Sequence, residues 1–164
     1  MTSEQRPLEE LEARLGVTFQ RKDLLALAVV YAADAAIDGV GEVAPYDERL
    51  EFLGDAVLGA SAAAFLYRTH PELAEGPLTA LRSALVRRST VARYAAEVEL
   101  GLFVHVAPAQ EGPQGRGASS VLSAAFEAVV GALFLDQGFA RAARFLERFF
   151  RRHLPLIVEA NLHH

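Results

Sequence analysis

The 164-residue chain contains no cysteine, and 15 of its 16 basic residues are arginine, with Lys22 the exception. Without cysteine there is no disulfide scaffold, no zinc ribbon and no thiol nucleophile, and the composition fits a reducing, cytoplasmic location. No uninterrupted apolar run approaches the roughly 18 residues that a membrane span requires, so no membrane is expected as a partner. The polar start, Met1 to Arg6, is unlike a signal peptide. Alternating β-branched residues are almost absent, and with them the mark of a half-buried strand. The chain is also short of positive charge: at a net −5 it does not look like a general nucleic-acid binder.

What is present is apolar and helical. With 52% hydrophobic and 23% charged residues, the composition excludes a disordered or coiled-coil protein, and the length fits one domain with a sizeable core. Glycine and proline divide the chain into helical lengths. Pro7 and Gly16 bracket a helix over 8–15, with Leu8, Leu11 and Leu15 on one side and Glu9, Glu10 and Glu12 facing elsewhere. A second apolar stretch runs over 24–36. The longest periodic segment is 46–69, where Leu50, Leu53, Val57, Leu58, Ala62, Phe65 and Leu66 recur at helical spacing. A turn at Glu75-Gly76-Pro77 precedes helices over 78–86 and 89–100, the second capped by Ser89 or Thr90 and closed by Gly101. Residues 108–119 read as a loop. Ser119 or Ser120 then caps a helix over 121–135, which stops at Gly138, and a last helix covers 139–157 with Pro155 near its end. The expected fold is all-α: one domain over 1–155 and a tail over 156–164.

The informative segment is Asp47 to Gly59. Glu48, Glu51 and Asp55 fall three and four residues apart, so a helix puts all three carboxylates on one face. Like charges at this spacing repel, and the helix around them is apolar. Carboxylates crowded in such surroundings must be protonated or neutralised by a cation, and hard oxygen donors suit magnesium or manganese. A metal cluster needs a further acid from elsewhere. Glu127, alone in the apolar run Ala124 to Ala132, is the best donor. Gly54, beside Asp55, would let another backbone or a ligand approach closely. The plainer alternative is an amphipathic helix whose acids face water.

The segment from 47 to 59 closely resembles the signature of the ribonuclease III family, usually written N-E-R-L-E-F-L-G-D-A-V-L, with Asp47 in place of the first Asn. The resemblance continues in order. Residues 8–19 look like the family's opening L-E-x-x-L-G-Y-x-F, and 75–82 like its E-G-x-L-T-x-L-R turn. Residues 120–138 look like its S-I-L-A-D-x-x-E-A-x-x-G-A-x-Y-L-D-x-G segment. The resemblance implies an all-α, homodimeric endonuclease domain that hydrolyses double-stranded RNA to 5′-phosphate and 3′-hydroxyl ends with bound Mg2+ or Mn2+. Asp55 and Glu127 match its catalytic acids, and Glu51, Asp55 and Glu127 its metal ligands. Glu48 and Glu75 match further acids of the cleft, and Phe52 an aromatic that inserts into the partner subunit.

Two departures stand out. Ala124 occupies the place of an Asp one helical turn before Glu127, which removes one oxygen donor and one negative charge. Water replaces a donor at magnesium but not a charge. Ser123 points about 100° away and is a poor substitute. Upstream, Val30-Tyr31-Ala32-Ala33-Asp34 replaces the family's T-H-x-S-Y. A second reading therefore stands beside the first: a weakened or inactive scaffold that binds RNA or associates with ribosomes. A third reading is a pure dimerisation module, which needs no buried acids. For RNA contact the candidates are Arg82, Arg87, Arg88 and Arg116, since phosphate tracking needs clustered cations. Arg141, Arg144, Arg148 and Arg151 read as a solvated face of the last helix. The family's separate RNA-binding domain is not expected in the residues after Leu154. His70, His105 and His153 show no metal-ligand spacing.

Overall fold

The computed structural model describes residues 6–29, 48–104 and 116–162, the side chains of 116–118 and 161–162 excepted. Among these residues every regular element is helical: α1 (Leu8–Leu15), α2 (Lys22–Val29), α3 (Glu48–Thr69), α4 (Glu75–Val86), α5 (Arg88–Glu97), a 3-10 turn at Leu100–Leu102, α6 (Arg116–Gln137) and α7 (Phe139–Leu162). Gly39, Gly41, Pro45, Asp47, the segment 30–34, His105 and most of the expected loop at 108–119 lie outside the described residues.

α6 is the central element. Its most extensive packing is against α3, and it also meets α5, α2 and α7, while α3 packs on α4 and α7 as well. Ala125, Phe126, Ala128, Val129, Val130, Ala132 and Leu133 are all buried, so α6 is covered on most sides. Small residues let neighbouring helices come close, and rings fill the remaining space. Tyr94 of α5 stands 5.7 Å from Phe126 and 5.4 Å from Phe149, centroid to centroid, and Phe65 of α3 meets Phe150 at 5.6 Å. The Tyr94 hydroxyl donates to the Leu85 carbonyl at 2.8 Å, so its polar end is satisfied inside the core.

Several local expectations are corrected. Glu12 does not face solvent. It is buried, accepts the Phe19 amide at 2.6 Å and pairs with Lys22, tying α1 to the start of α2. Burial alone would raise its pKa, but the Lys22 charge and the Phe19 amide outweigh it and hold the carboxyl below its usual value. Glu75-Gly76-Pro77 is the first turn of α4, where proline's missing N–H is no loss. α5 starts one residue earlier than expected, with Arg87 at its N-cap, because the Thr90 hydroxyl donates back to the Ala84 carbonyl at 2.8 Å. It ends at Glu97, and the left-handed position after it is taken by Glu99 (φ 52°), not Gly101. α6 begins at Arg116, so Ser119 and Ser120 lie within the helix and do not cap it.

The last helix also runs further than its sequence pattern indicated. α7 passes through Pro155 to Leu162, and Ile157 and Val158 pack against the core, so residues 156–162 continue the helix. Two stretches, Glu48–Thr69 and Ser119–Gln137, are long and apolar enough to cross a membrane by length and composition alone, correcting the expectation that none reached that length. Their mean hydropathies are 1.3 and 1.5, and about half of each is buried within the fold. Both are core helices here.

Candidate functional site

The site forms where α3 crosses α6. A Cβ added to Gly54 would stand 1.6 Å from the Glu127 carbonyl oxygen, and one added to Gly131 would stand 2.3 Å from that of Leu50. Neither position has room for a side chain, so the two backbones are in direct contact. Gly54 therefore does what its place beside Asp55 suggested, admitting another backbone. Gly131 was missed from sequence. Its signal, a glycine four residues after a lone buried acid in a run of alanines and valines, is visible only once a partner helix is known.

The crossing brings the expected acids together. Glu127 lies partly buried on α6, facing Glu51 and Asp55 of α3. Burial first, then the negative charges of Asp55 and Glu51, push the Glu127 carboxyl up to about 7, against a smaller opposing effect of Arg88. Asp55 is exposed and Glu51 half-buried. Ala124, one turn before Glu127, is half-buried and brings no charge. Ser123 is buried and its hydroxyl donates to the Ser120 carbonyl at 3.0 Å, so it offers nothing to the acids.

Other expected residues stand apart. Glu48 is exposed in the first turn of α3. Glu75 accepts the Thr79 hydroxyl at 2.9 Å and lines a groove of about 470 Å³ between α3 and α4, together with Tyr67, Leu78 and Arg82. Phe52 is 79% exposed on the outer side of α3. Arg82, Arg87, Arg88 and Arg93 are exposed on α4 and α5, and none forms an ion pair among the described residues. Arg116 is the first residue of α6, and its side chain lies outside the described set. On α7, Arg151 pairs with Glu147 at 2.6 Å, and Arg148 lies over the Phe145 and Phe149 rings at 5.0 and 4.7 Å. That stripe therefore serves surface pairing and packing.

Among the described residues, no three His, Asp or Glu side chains converge tightly enough to enclose a metal ion by themselves. The donor chemistry nonetheless fits a hard divalent cation. Three carboxylates gather at one helix crossing, and burial together with the charges of Asp55 and Glu51 raises the deepest of them, Glu127, well above its usual range. Magnesium commonly keeps several waters and takes only one or two carboxylates from a protein, so a closed cage is not required.

The chain is also similar to known proteins over most of its length. Residues 38–154 match the family described as Ribonuclease-III-like. Ribonuclease 3 of Protochlamydia amoebophila is 39% identical over 152 residues, which are 93% of this chain and 62% of that protein. Ribonuclease 3 of Streptomyces coelicolor is 41% identical over 92% of this chain and 52% of its own length. The chain thus spans about half to two-thirds of these relatives. A solved nuclease domain of ribonuclease III from Campylobacter jejuni, studied for flexibility in a region involved in its dimer formation, superposes with a TM-score of 0.77. It is 35% identical, over 91% of this chain and 99% of that one. With the signature acids gathered at one helix crossing and this family matched over most of the length, the chain belongs to the Ribonuclease-III-like family.

Proposed function

We propose that the chain is a divalent-metal-dependent endoribonuclease that hydrolyses double-stranded RNA and works as a homodimer in the cytoplasm, without a membrane partner. The observation that carries this reading is the position of Glu127, a part-buried acid held against Glu51 and Asp55 by a backbone contact that two glycines permit. A packing role alone gives no reason to set a part-buried carboxylate beside two further acids where two helices approach most closely. Glu51, Asp55 and Glu127 would hold Mg2+ or Mn2+, which when bound supplies an activated water and charge compensation at the scissile phosphate. Glu127, titrating near neutrality, would accept or hold a proton at its carboxyl. Leu50, Val57 and Leu58 of the same helix are buried in the core, so α3 is anchored beside the acids it carries. Glu48 and Glu75 would line the cleft further out. Arg82, Arg87, Arg88 and Arg116 would meet the phosphate backbone, which explains how a chain of net −5 binds RNA: local placement, not net charge, sets the field.

The homodimer is supported by α3 itself. Its outward side carries Phe52, Ala56, Ala60, Ala64 and Tyr67, all exposed, and Tyr67 is 78% exposed. A helix apolar on nearly every side calls for cover on the face its own fold leaves open, and a second copy supplies the same apolar stripe.

Incubation of the purified chain with a long RNA duplex and Mg2+ or Mn2+ tests the reading. Fragments with 5′-phosphate and 3′-hydroxyl ends are expected, with manganese the better ion. Duplex binding without cleavage under either ion would instead support the second reading, a scaffold with a decayed site, which Ala124 favours by removing one ligand.

A further inference from the structure

Arg88 opens α5 and reaches across to α6, where its Nη1 donates to the Ser120 hydroxyl oxygen at 3.3 Å. Ser120, Ala124 and Glu127 are spaced four and three residues apart, so they form one stripe along α6. The guanidinium thus reaches the head of the stripe that ends in Glu127, and its positive charge acts on that carboxyl. Some arginines of this chain find acids, as Arg14 does with Glu99 and Arg152 with Glu97, whereas Arg82, Arg87 and Arg93 form no ion pair among the described residues. Arg88 has no such ion pair among the described residues and is exposed.

Ala124 lies one turn down the same stripe. An acid at position 124 would stand beside the Ser120 anchor, and its carboxylate would draw the guanidinium into an internal pair. Alanine there leaves the charge uncommitted. A tethered cation at the rim of an acid cluster has two opposite effects, both from Coulomb's law. It repels a metal ion approaching the acids, and it attracts a phosphate lying over them.

We propose that Arg88 is a substrate-binding residue that grips an RNA phosphate at the rim of the acid cluster, and that Ala124 is what frees it to do so. This deepens the nuclease reading and rests on it. The guanidinium's planar fork matches two phosphate oxygens and can keep its Ser120 contact through another N–H. The charge lost at position 124 weakens the metal's hold, and Arg88 compensates on the substrate side.

The test measures binding apart from turnover. A fluorescently labelled RNA duplex is titrated by anisotropy with a chelator present, so that no strand is cut. Arg88→Gln is expected to weaken binding by ~5–10-fold and to reduce the slope of log K against log salt by about 1. Arg88→Lys should keep the slope and lose less affinity, since it keeps the charge but not the fork. Without RNA, Mn2+ binding followed by electron paramagnetic resonance should tighten by ~3-fold or more in Arg88→Gln, because a repelling charge is gone. In an Ala124→Asp background, Arg88→Gln should change duplex affinity by less than about 2-fold, because the guanidinium is then committed internally. An Arg88→Gln variant with unchanged duplex affinity and salt slope overturns this inference while leaving the nuclease reading in place. Failure of the unaltered chain to bind duplex at all overturns both.

Discussion

Gly54 and Gly131 are in backbone contact: a Cβ on the first would lie 3.0 Å from the amide nitrogen of the second, and 1.6 Å from the carbonyl oxygen of Glu127. This contact sets how closely α3 and α6 approach. It therefore also sets how near Asp55 and Glu51 come to Glu127. The first prediction follows directly. Gly54→Ala cannot be absorbed by a rotamer change, because the obstacle is main chain. It should destabilise by about 3 kcal/mol or unfold the domain, beyond the ordinary cost of overpacking. Gly76→Ala is the control, since a Cβ there meets nothing within 4 Å beyond its chain neighbours. Thermal melts should show a large loss for Gly54→Ala and little change for Gly76→Ala.

Glu127→Gln should abolish cleavage, a fall of at least ~10²-fold, without lowering thermal stability. The pH dependence follows from the raised pKa. Unfolded, this carboxyl loses its proton near 4.5; folded, near 7. Between those values the native state holds a proton that the unfolded state has released, so stability falls as pH rises through the window and levels off above it. Glutamine cannot titrate. The variant should therefore gain stability relative to the parent at pH 8 and lose that advantage at pH 5, as melting temperatures at the two pH values will show. Saturating Mg2+ should reduce the difference at pH 8, because a cation stabilises the charged form.

Ala124→Asp restores an oxygen donor and a negative charge on the Ser120–Glu127 stripe. Cleavage of a long duplex should rise by ~10-fold or more and shift its preference from Mn2+ towards Mg2+. In an Arg88→Gln background, where the guanidinium cannot pair with it, the same substitution adds a like charge near Glu127, so the metal-free protein should melt lower above pH 7 than Arg88→Gln alone. No gain in cleavage, with duplex binding retained, would favour the scaffold reading.

Phe52→Asp puts a charge in place of the large apolar side chain that heads the exposed stripe on α3. The variant should sediment as a monomer at micromolar concentration where the parent is a dimer, with its melting temperature changed little at high dilution. A parent that is itself monomeric at that concentration would count against the proposed dimer.

The helices were largely legible in the sequence because each follows from local rules. Period and punctuation placed α1 and the bulk of α3, α6 and α7 near their observed bounds. The errors fell where a side chain answers to something distant. Glu12 resembles a surface acid until the Phe19 amide and Lys22 are folded onto it. Thr90 resembles a cap until its hydroxyl is taken by Ala84. Pro155 resembles a helix end, yet Ile157 and Val158 gain more by packing on the core than the helix loses at one hydrogen bond.

The candidate site divides in the same way. Glu51, Asp55 and Glu127 could be picked out from sequence, because a charged residue in an apolar helix is expensive wherever it occurs and needs a reason. Spacing along one helix places Glu51 and Asp55 on one face without reference to anything else. That much the amino-acid order determines by itself, together with the all-α class and the family. Only the tertiary structure decided that Glu127 meets those two acids, that Gly131 makes the meeting possible, and that Arg88 reaches the same stripe. These are encounters between elements more than thirty residues apart. Their distances depend on how two helices pack, and a helix's own periodicity says which face is buried but not what lies against it.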